Sequence, residues 1–254
     1  MDFLDAAILG IVEGVTEFLP ISSTGHLILT SSLLGLTQTD FLKSFEIAIQ
    51  LGAILSVVVL YWRKFLEVEV LKRLVVAFIP TGVIGLLFYK IAKEYLIGNE
   101  TVVIGALIIG GLALIAFEYF HSGNPDEGSV ETISYKQSAL IGLFQSIAII
   151  PGVSRSAATI LGGLWLGLSR TTIVEFSFLL ALPTMLAATG LDLFKNASAF
   201  RPDEFGILAV GFVVSFGVAL ASIKFLLAYV RRYDFTAFGV YRIIAALLFI
   251  LLVL

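Results

Sequence analysis

Apolar residues run in long blocks along this chain, separated by short polar or charged stretches. Six blocks, at about 45–62, 74–91, 101–119, 170–191, 206–230 and 238–254, are long enough to cross a hydrocarbon core roughly 30 Å thick as helices. Each predicts a full membrane span. Two further apolar regions, about 5–36 and 138–168, are interrupted near their middles by Pro20-Ile21-Ser22-Ser23-Thr24-Gly25 and Pro151-Gly152-Val153-Ser154-Arg155-Ser156. Each arm of these regions has about 15 residues, some 22 Å of helix, too short to cross unaided. The expectation is an all-α polytopic membrane protein with six spans and two re-entrant helix-loop-helix hairpins. Broken backbone at membrane depth survives only where protein buries it or it lines a wet cavity, so both breaks point to a site.

The chain also echoes itself. Ala139-Leu140-Ile141-Gly142-Leu143-Phe144-Gln145 through Ser154-Arg155-Ser156 follows Ala7-Ile8-Leu9-Gly10-Ile11-Val12-Glu13 through Ser22-Ser23-Thr24 at an offset of 132, with the prolines out of step by one. Each half is one hairpin and three spans. Because three is odd, the second half enters from the opposite face, an inverted-topology repeat. The chain then reads as a single membrane domain, 1–254, made of a first repeat (1–119), a cytoplasmic connecting loop (120–137) and a second repeat (138–254). One face carries Arg63, Lys64, Lys72, Arg73, Lys136, Arg170, Arg231 and Arg232, and the other Lys43, Lys90, Lys93, Lys195 and Arg201. The more basic face is expected to be cytoplasmic, which puts both termini outside and opens the first hairpin outward.

Composition agrees with a lipid solvent: 59% of residues are hydrophobic, 14% are charged and the mean hydropathy is +1.03. A net charge of -3 with scattered acids and bases argues against a nucleic-acid partner. The absence of cysteine removes disulfides, thiolate metal sites and a cysteine nucleophile. No Lys or Arg precedes the first apolar stretch, so it reads as a retained helix and not a cleaved signal peptide.

Charged and hydroxyl side chains concentrate at the two breaks. Glu13 and Glu17 lie four apart on one helical face of an otherwise apolar arm. Carboxylates at membrane depth are costly and tend to face cavities, ion paths or partners; the plainer alternative is a structural pair bonded to nearby backbone. Two close carboxylates repel, so one holds a proton near neutral pH unless a divalent cation sits between them. Ser22-Ser23-Thr24-Gly25-His26 looks like a helix start, whose free N–H groups and dipole suit phosphate. His26, three and four residues after Ser23 and Ser22, is expected to project on the side of their hydroxyls. Hydroxyls in membrane helices more often serve packing, but here they stand beside acids and an imidazole. In the second hairpin Arg155, between Ser154 and Ser156, suits a phosphate or carboxylate partner. Hairpins entering from opposite faces would bring Arg155 opposite Glu17, Ser23 and His26. His121 is expected to be a solvated loop residue, and Lys224 and Arg242 to snorkel from span ends. Gly10, Gly14, Gly162 and Gly163 read as points of close helix approach.

The run Glu13-Gly14-Val15-Thr16-Glu17-Phe18-Leu19-Pro20-Ile21-Ser22-Ser23-Thr24-Gly25-His26 resembles the first signature of the undecaprenyl-diphosphate phosphatase family linked to bacitracin resistance. Pro151-Gly152-Val153-Ser154-Arg155-Ser156 with Thr159-Ile160 resembles the second, departing only at Ala157, where glycine is usual. The resemblance implies removal of the terminal phosphate from a C55 polyprenyl diphosphate at an outward-facing site in the cell membrane, with help from Mg²⁺ or Ca²⁺. It makes Glu13 and Glu17 the paired acids and metal ligands, Ser23 the candidate nucleophile, His26 the proton-transfer group and Arg155 the phosphate-binding arginine, with Ser22, Thr24, Ser154 and Ser156 as further substrate-binding residues. A homodimer is compatible with it. On physics alone a transporter or lipid flippase would share the inverted-repeat scaffold, and a phosphate- or lipid-binding protein without turnover would keep Arg155 but leave Glu13, Glu17 and His26 unexplained.

Overall fold

The computed structural model of the chain describes residues 1–37, 39–96, 99–120, 128–195 and 204–253. His121 and Arg201, and the side chains of Lys93 and Lys195, lie outside what is described. The described residues form helices, turns and loops without strand. Among the described residues ten α-helices follow one another: α1 (Phe3–Thr16), α2 (Ser23–Leu33), α3 (Asp40–Tyr61), α4 (Val68–Ile91), α5 (Glu100–Phe120), α6 (Tyr135–Ser146), α7 (Arg155–Trp165), α8 (Arg170–Lys195), α9 (Phe205–Val230) and α10 (Thr236–Val253). Five of them, α3, α4, α5, α8 and α9, contain apolar stretches long enough to cross a bilayer. The sixth expected span is the shorter apolar helix α10. The chain is a multi-pass membrane protein.

Both interrupted regions are two short helices around a break. Asp2 and Asp5 form a capping box that starts α1, and Ser134 and Gln137 form another that starts α6. The first break ends at Ser22 (φ 73°, ψ 97°) and the second at Ser154 (φ 74°, ψ 116°), each immediately before a helix. These are the only non-glycine residues with positive φ among those described. Such backbone costs on the order of 1–3 kcal/mol per residue and persists where surrounding structure holds it.

Helix pairing has a two-fold pattern. α1 packs on α9 as α6 packs on α4; α3 packs on α9 as α8 packs on α4; α2 meets α10 as α7 meets α5; α3 pairs with α8, and α5 with α10. Small residues permit the closest of these approaches. A Cβ on Gly10 or Gly14 would stand 2.7 Å from the carbonyl oxygen of Gly211 or Ser215 on α9, and one on Gly142 would overlap the carbonyl oxygen of Ala77 on α4. Gly10 and Gly142 occupy the same place in the sequence echo. Gly162 and Gly163 receive the Phe144 ring and the Ile173 side chain. Gly142→Ala is therefore expected to destabilise the protein by about 1–3 kcal/mol, because α4 backbone has to move. Gly105→Ala, inside α5 where a Cβ meets nothing within 4 Å, should be neutral to slightly stabilising. Thermal unfolding in detergent compares the two.

The loops at one end of the bundle are tied together. Lys64 pairs with Glu131, Arg73 Nε donates to the Ile133 carbonyl (2.6 Å), Arg170 pairs with Glu118, and the Phe235 N–H donates to the same Glu118 (3.1 Å). The Lys64 ammonium holds the Glu131 carboxyl down to about 2. These contacts join the α3–α4, α5–α6, α7–α8 and α9–α10 connections, and the eight bases of the more basic face lie in them or in the adjoining helix turns.

Candidate active site

The two breaks meet side by side. Ser156 Oγ donates to the Phe18 carbonyl (2.8 Å), and the Arg155 guanidinium lies over the Phe18 ring, 5.8 Å from its centroid. Together they border a cavity of about 790 Å³. Glu17, Ser22, Ser23 and Thr24 line it from the first break, and Ser154 and Arg155 from the second. Apolar side chains of α4 and α8, among them Val83, Leu86 and Met185, supply much of the remaining wall.

Glu17 is the hub. Its Oε2 accepts from Ser23 Oγ (2.6 Å) and its Oε1 from Arg155 Nη2 (3.0 Å). Arg155 Nη1 donates to the Ser177 carbonyl (2.8 Å), Nη2 also touches Met185 Sδ (3.8 Å), and Nε has no acceptor among the described residues. Beneath it Thr159 and Ser177 share a 2.6 Å hydroxyl contact. A mostly buried guanidinium with two unclaimed N–H groups, one on Nη1 and that of Nε, held against a carboxylate at the edge of a cavity, can take an anion without moving far.

Glu13 lies behind Glu17, fully buried, and neither of its oxygens accepts a hydrogen bond from a described residue. Its carboxyl is within interaction range of Glu17, Glu46 and Arg155. Two carboxylates suit a divalent cation that takes its other ligands from phosphate and water, which is the habit of Mg²⁺. Among the described residues no group of three or more His, Asp or Glu is placed to hold a metal without such help.

Ser22 occupies the N-cap of α2 but its side chain makes no capping bond, whereas Ser154 Oγ accepts from the Ala157 N–H (3.2 Å). The α2 start at the cavity is thus left uncapped by its serine. His26 is engaged by the first break's own backbone and by a residue of α10. Its Nδ1 donates to the Ser22 carbonyl (2.7 Å), which leaves Nε2 of a neutral ring to accept from the Tyr241 hydroxyl (2.8 Å). The His26 and Tyr241 rings stack at 5.5 Å, and His26 is not among the cavity-lining residues. Ser23 and His26 share α2, three residues apart, while Tyr241 on α10 holds the imidazole.

Residues 6–248 match the family described as bacitracin resistance protein BacA. The chain belongs to this family. It is 53% identical to an undecaprenyl-diphosphatase of a Sulfurihydrogenibium species over 252 residues, covering 99% of each chain. It is 51% identical to an undecaprenyl-diphosphatase of Aquifex aeolicus (96% of each chain) and 52% identical to one of Wolinella succinogenes (98% of each).

In this BacA family member the largest departure from the sequence reading is Arg242. It does not snorkel: it is fully buried in α10. Its Nη1 donates to the carbonyls of Pro20 (3.1 Å) and Val153 (3.0 Å), its Nη2 to those of Gly152 (2.9 Å) and Ala106 (2.9 Å), and its Nε to that of Leu107 (3.2 Å). One guanidinium therefore fastens both breaks to α5. The sequence signal for it was a base inside an apolar run; its partners, backbone carbonyls far away in the chain, leave no trace in composition. Glu46, which accepts from Ser31 Oγ (3.1 Å), and Gln145, which lines the cavity, were likewise missed.

Proposed function

We propose that this chain hydrolyses undecaprenyl diphosphate, a long-chain polyprenyl diphosphate, to the monophosphate and inorganic phosphate, returning the lipid carrier to cell-envelope synthesis. The observation that carries the reading is the Ser23–Glu17–Arg155 chain, which joins both breaks at the wall of a largely apolar cavity. Relatives of about half identity that carry the name undecaprenyl-diphosphatase supply the substrate.

In this mechanism the prenyl tail lies along the apolar walls of α4 and α8, and the diphosphate meets Arg155 and the uncapped start of α2. Glu17 takes the Ser23 proton as Oγ attacks the terminal phosphorus. The new O–P bond forms as the anhydride P–O bond breaks, and the prenyl monophosphate leaves; water then cleaves the phosphoserine. In the alternative, Glu17 takes its proton from a water that attacks directly. Mg²⁺ or Ca²⁺ held by Glu17 and Glu13 supplies further charge neutralisation when bound. Ser22, Thr24, Ser154 and Ser156 form and fasten the loops around the phosphates. A proton-transfer role for His26 requires its bond to Tyr241 to open.

The same reading places the chain in the cell membrane with six spans and two re-entrant hairpins in an inverted repeat, 1–119 and 138–254, and with termini and cavity facing outward. The two-fold pattern of helix pairing and the clustering of basic loops at one end support this arrangement.

The test is phosphate release from a C55 diphosphate by detergent-purified protein with Mg²⁺. Turnover is expected, and Ser23→Ala should reduce it at least about a hundredfold. Near-full activity in Ser23→Ala would eliminate the covalent route. No release by folded wild type, with either Mg²⁺ or Ca²⁺, would overturn the phosphatase reading in favour of transport.

A further inference from the structure

Gln145, at the end of α6, lines the cavity with an amide that is only half satisfied. Its Nε2 donates to Thr81 Oγ1 (2.8 Å) and to Thr184 Oγ1 (3.1 Å). Each hydroxyl has one proton and gives it to a carbonyl: Thr81 to Gly142 and Thr184 to Leu180, both at 2.8 Å. The hydroxyls can therefore only accept from the amide, which fixes the nitrogen toward the threonines and Oε1 away from them. Oε1 is buried and accepts no hydrogen bond from any described residue; Gln145 as a whole is 1% exposed. An unmet acceptor of this kind is costly unless a donor meets it.

The neighbours of this oxygen restrict that donor. Thr184 precedes Met185, whose sulfur touches Arg155, so Gln145 and Arg155 meet α8 at successive residues. Both threonines follow a proline inside a helix, Pro80 in α4 and Pro183 in α8, where the helix lacks a backbone N–H. In the sequence echo Gln145 stands where the first hairpin has Glu13. A carboxylate there would itself titrate, whereas an amide oxygen is an acceptor at every pH. Beside a phosphate-binding arginine such an oxygen repels an ionised phosphate oxygen and accepts only from one that keeps its proton. Phosphate monoesters lose their second proton at about pH 6, so both forms exist near neutrality.

We propose that Gln145 Oε1 binds the P–OH of a singly protonated terminal phosphate, so that the cavity selects substrate and product by protonation state. The proposal rests on reading the cavity as a phosphate site. Its test is inhibition of C55-diphosphate hydrolysis by inorganic phosphate, measured across the second ionisation of phosphate, in wild type, Gln145→Met and Thr81→Val. Wild type should bind phosphate more tightly on the acid side, and Gln145→Met should weaken that acid arm by about tenfold with little effect on the alkaline arm. Thr81→Val, which leaves the bond from Nε2 to Thr184 that orients the amide, should retain the acid-side preference. Parallel profiles in wild type and Gln145→Met would overturn the proposal, as would a Gln145→Met defect confined to kcat, which would give the oxygen to a bound water. Loss of the preference in Thr81→Val as well as Gln145→Met would also count against it, because the effect would then follow the packing of the site and not Oε1. If wild type neither turns over nor is inhibited by phosphate, the phosphatase reading itself fails; turnover and inhibition with parallel profiles remove only the role of Gln145.

Discussion

Arg155→Ala is expected to lower phosphate release about a hundred- to a thousandfold, the usual cost of removing a preorganised donor from developing negative charge. Two effects add here. The phosphate loses the free Nε–H, and Glu17, nearly buried, loses its only cationic hydrogen-bond partner among the described residues. Arg155→Lys should recover little of this. An ammonium restores charge but cannot reach the Ser177 carbonyl and Glu17 together through a planar fork while presenting a further N–H. Glu17→Ala should fall as far, and the Glu17→Ala/Arg155→Ala double variant should be scarcely worse than either, because the two side chains act as one unit. Phosphate release by each variant, with folding checked by circular dichroism, decides the matter. Turnover within a few fold of wild type in Arg155→Ala would remove the arginine from the chemistry.

Arg242→Met should unfold at a markedly lower temperature, with a loss of about 3–5 kcal/mol, and should also lower turnover although Arg242 is no part of the cavity wall. Methionine fills similar space but leaves the Pro20, Gly152 and Val153 carbonyls without their cationic donor inside the protein. Those carbonyls belong to the breaks that present Ser22, Ser23, Ser154 and Arg155, so their release loosens both sides of the site. Gly110→Ala offers an independent approach to the same contact, since its methyl would overlap Arg242 Nη2. If thermal unfolding of Arg242→Met matched wild type while activity fell, Arg242 would act on the site alone and not on the fold.

The long apolar runs, the two interrupted regions and their echo were legible because each depends on neighbours in the chain: a helix period, a proline, a glycine three or four residues away. All six expected spans fall on helices, although α10 is shorter than the others. Both interrupted regions are helix pairs whose breaks coincide with the Pro-containing segments. The meeting of Arg155 with Glu17 and Ser23 followed from treating the hairpins as approaching one another. Helical projection from Ser23 to His26, both in α2, could not show that Tyr241, more than two hundred residues away, takes the ring.

By itself, then, the sequence determined the solvent of this protein, the positions of its helices and the residue types gathered at each break, since hydropathy and backbone chemistry act locally. Tertiary structure alone decided which groups lost or kept their partners: Arg242 spent on five carbonyls, Glu13 and Gln145 left with oxygens unmet among the described residues, and His26 drawn to Tyr241. Hydrogen-bond satisfaction is settled between segments far apart in the chain, and no local pattern records it.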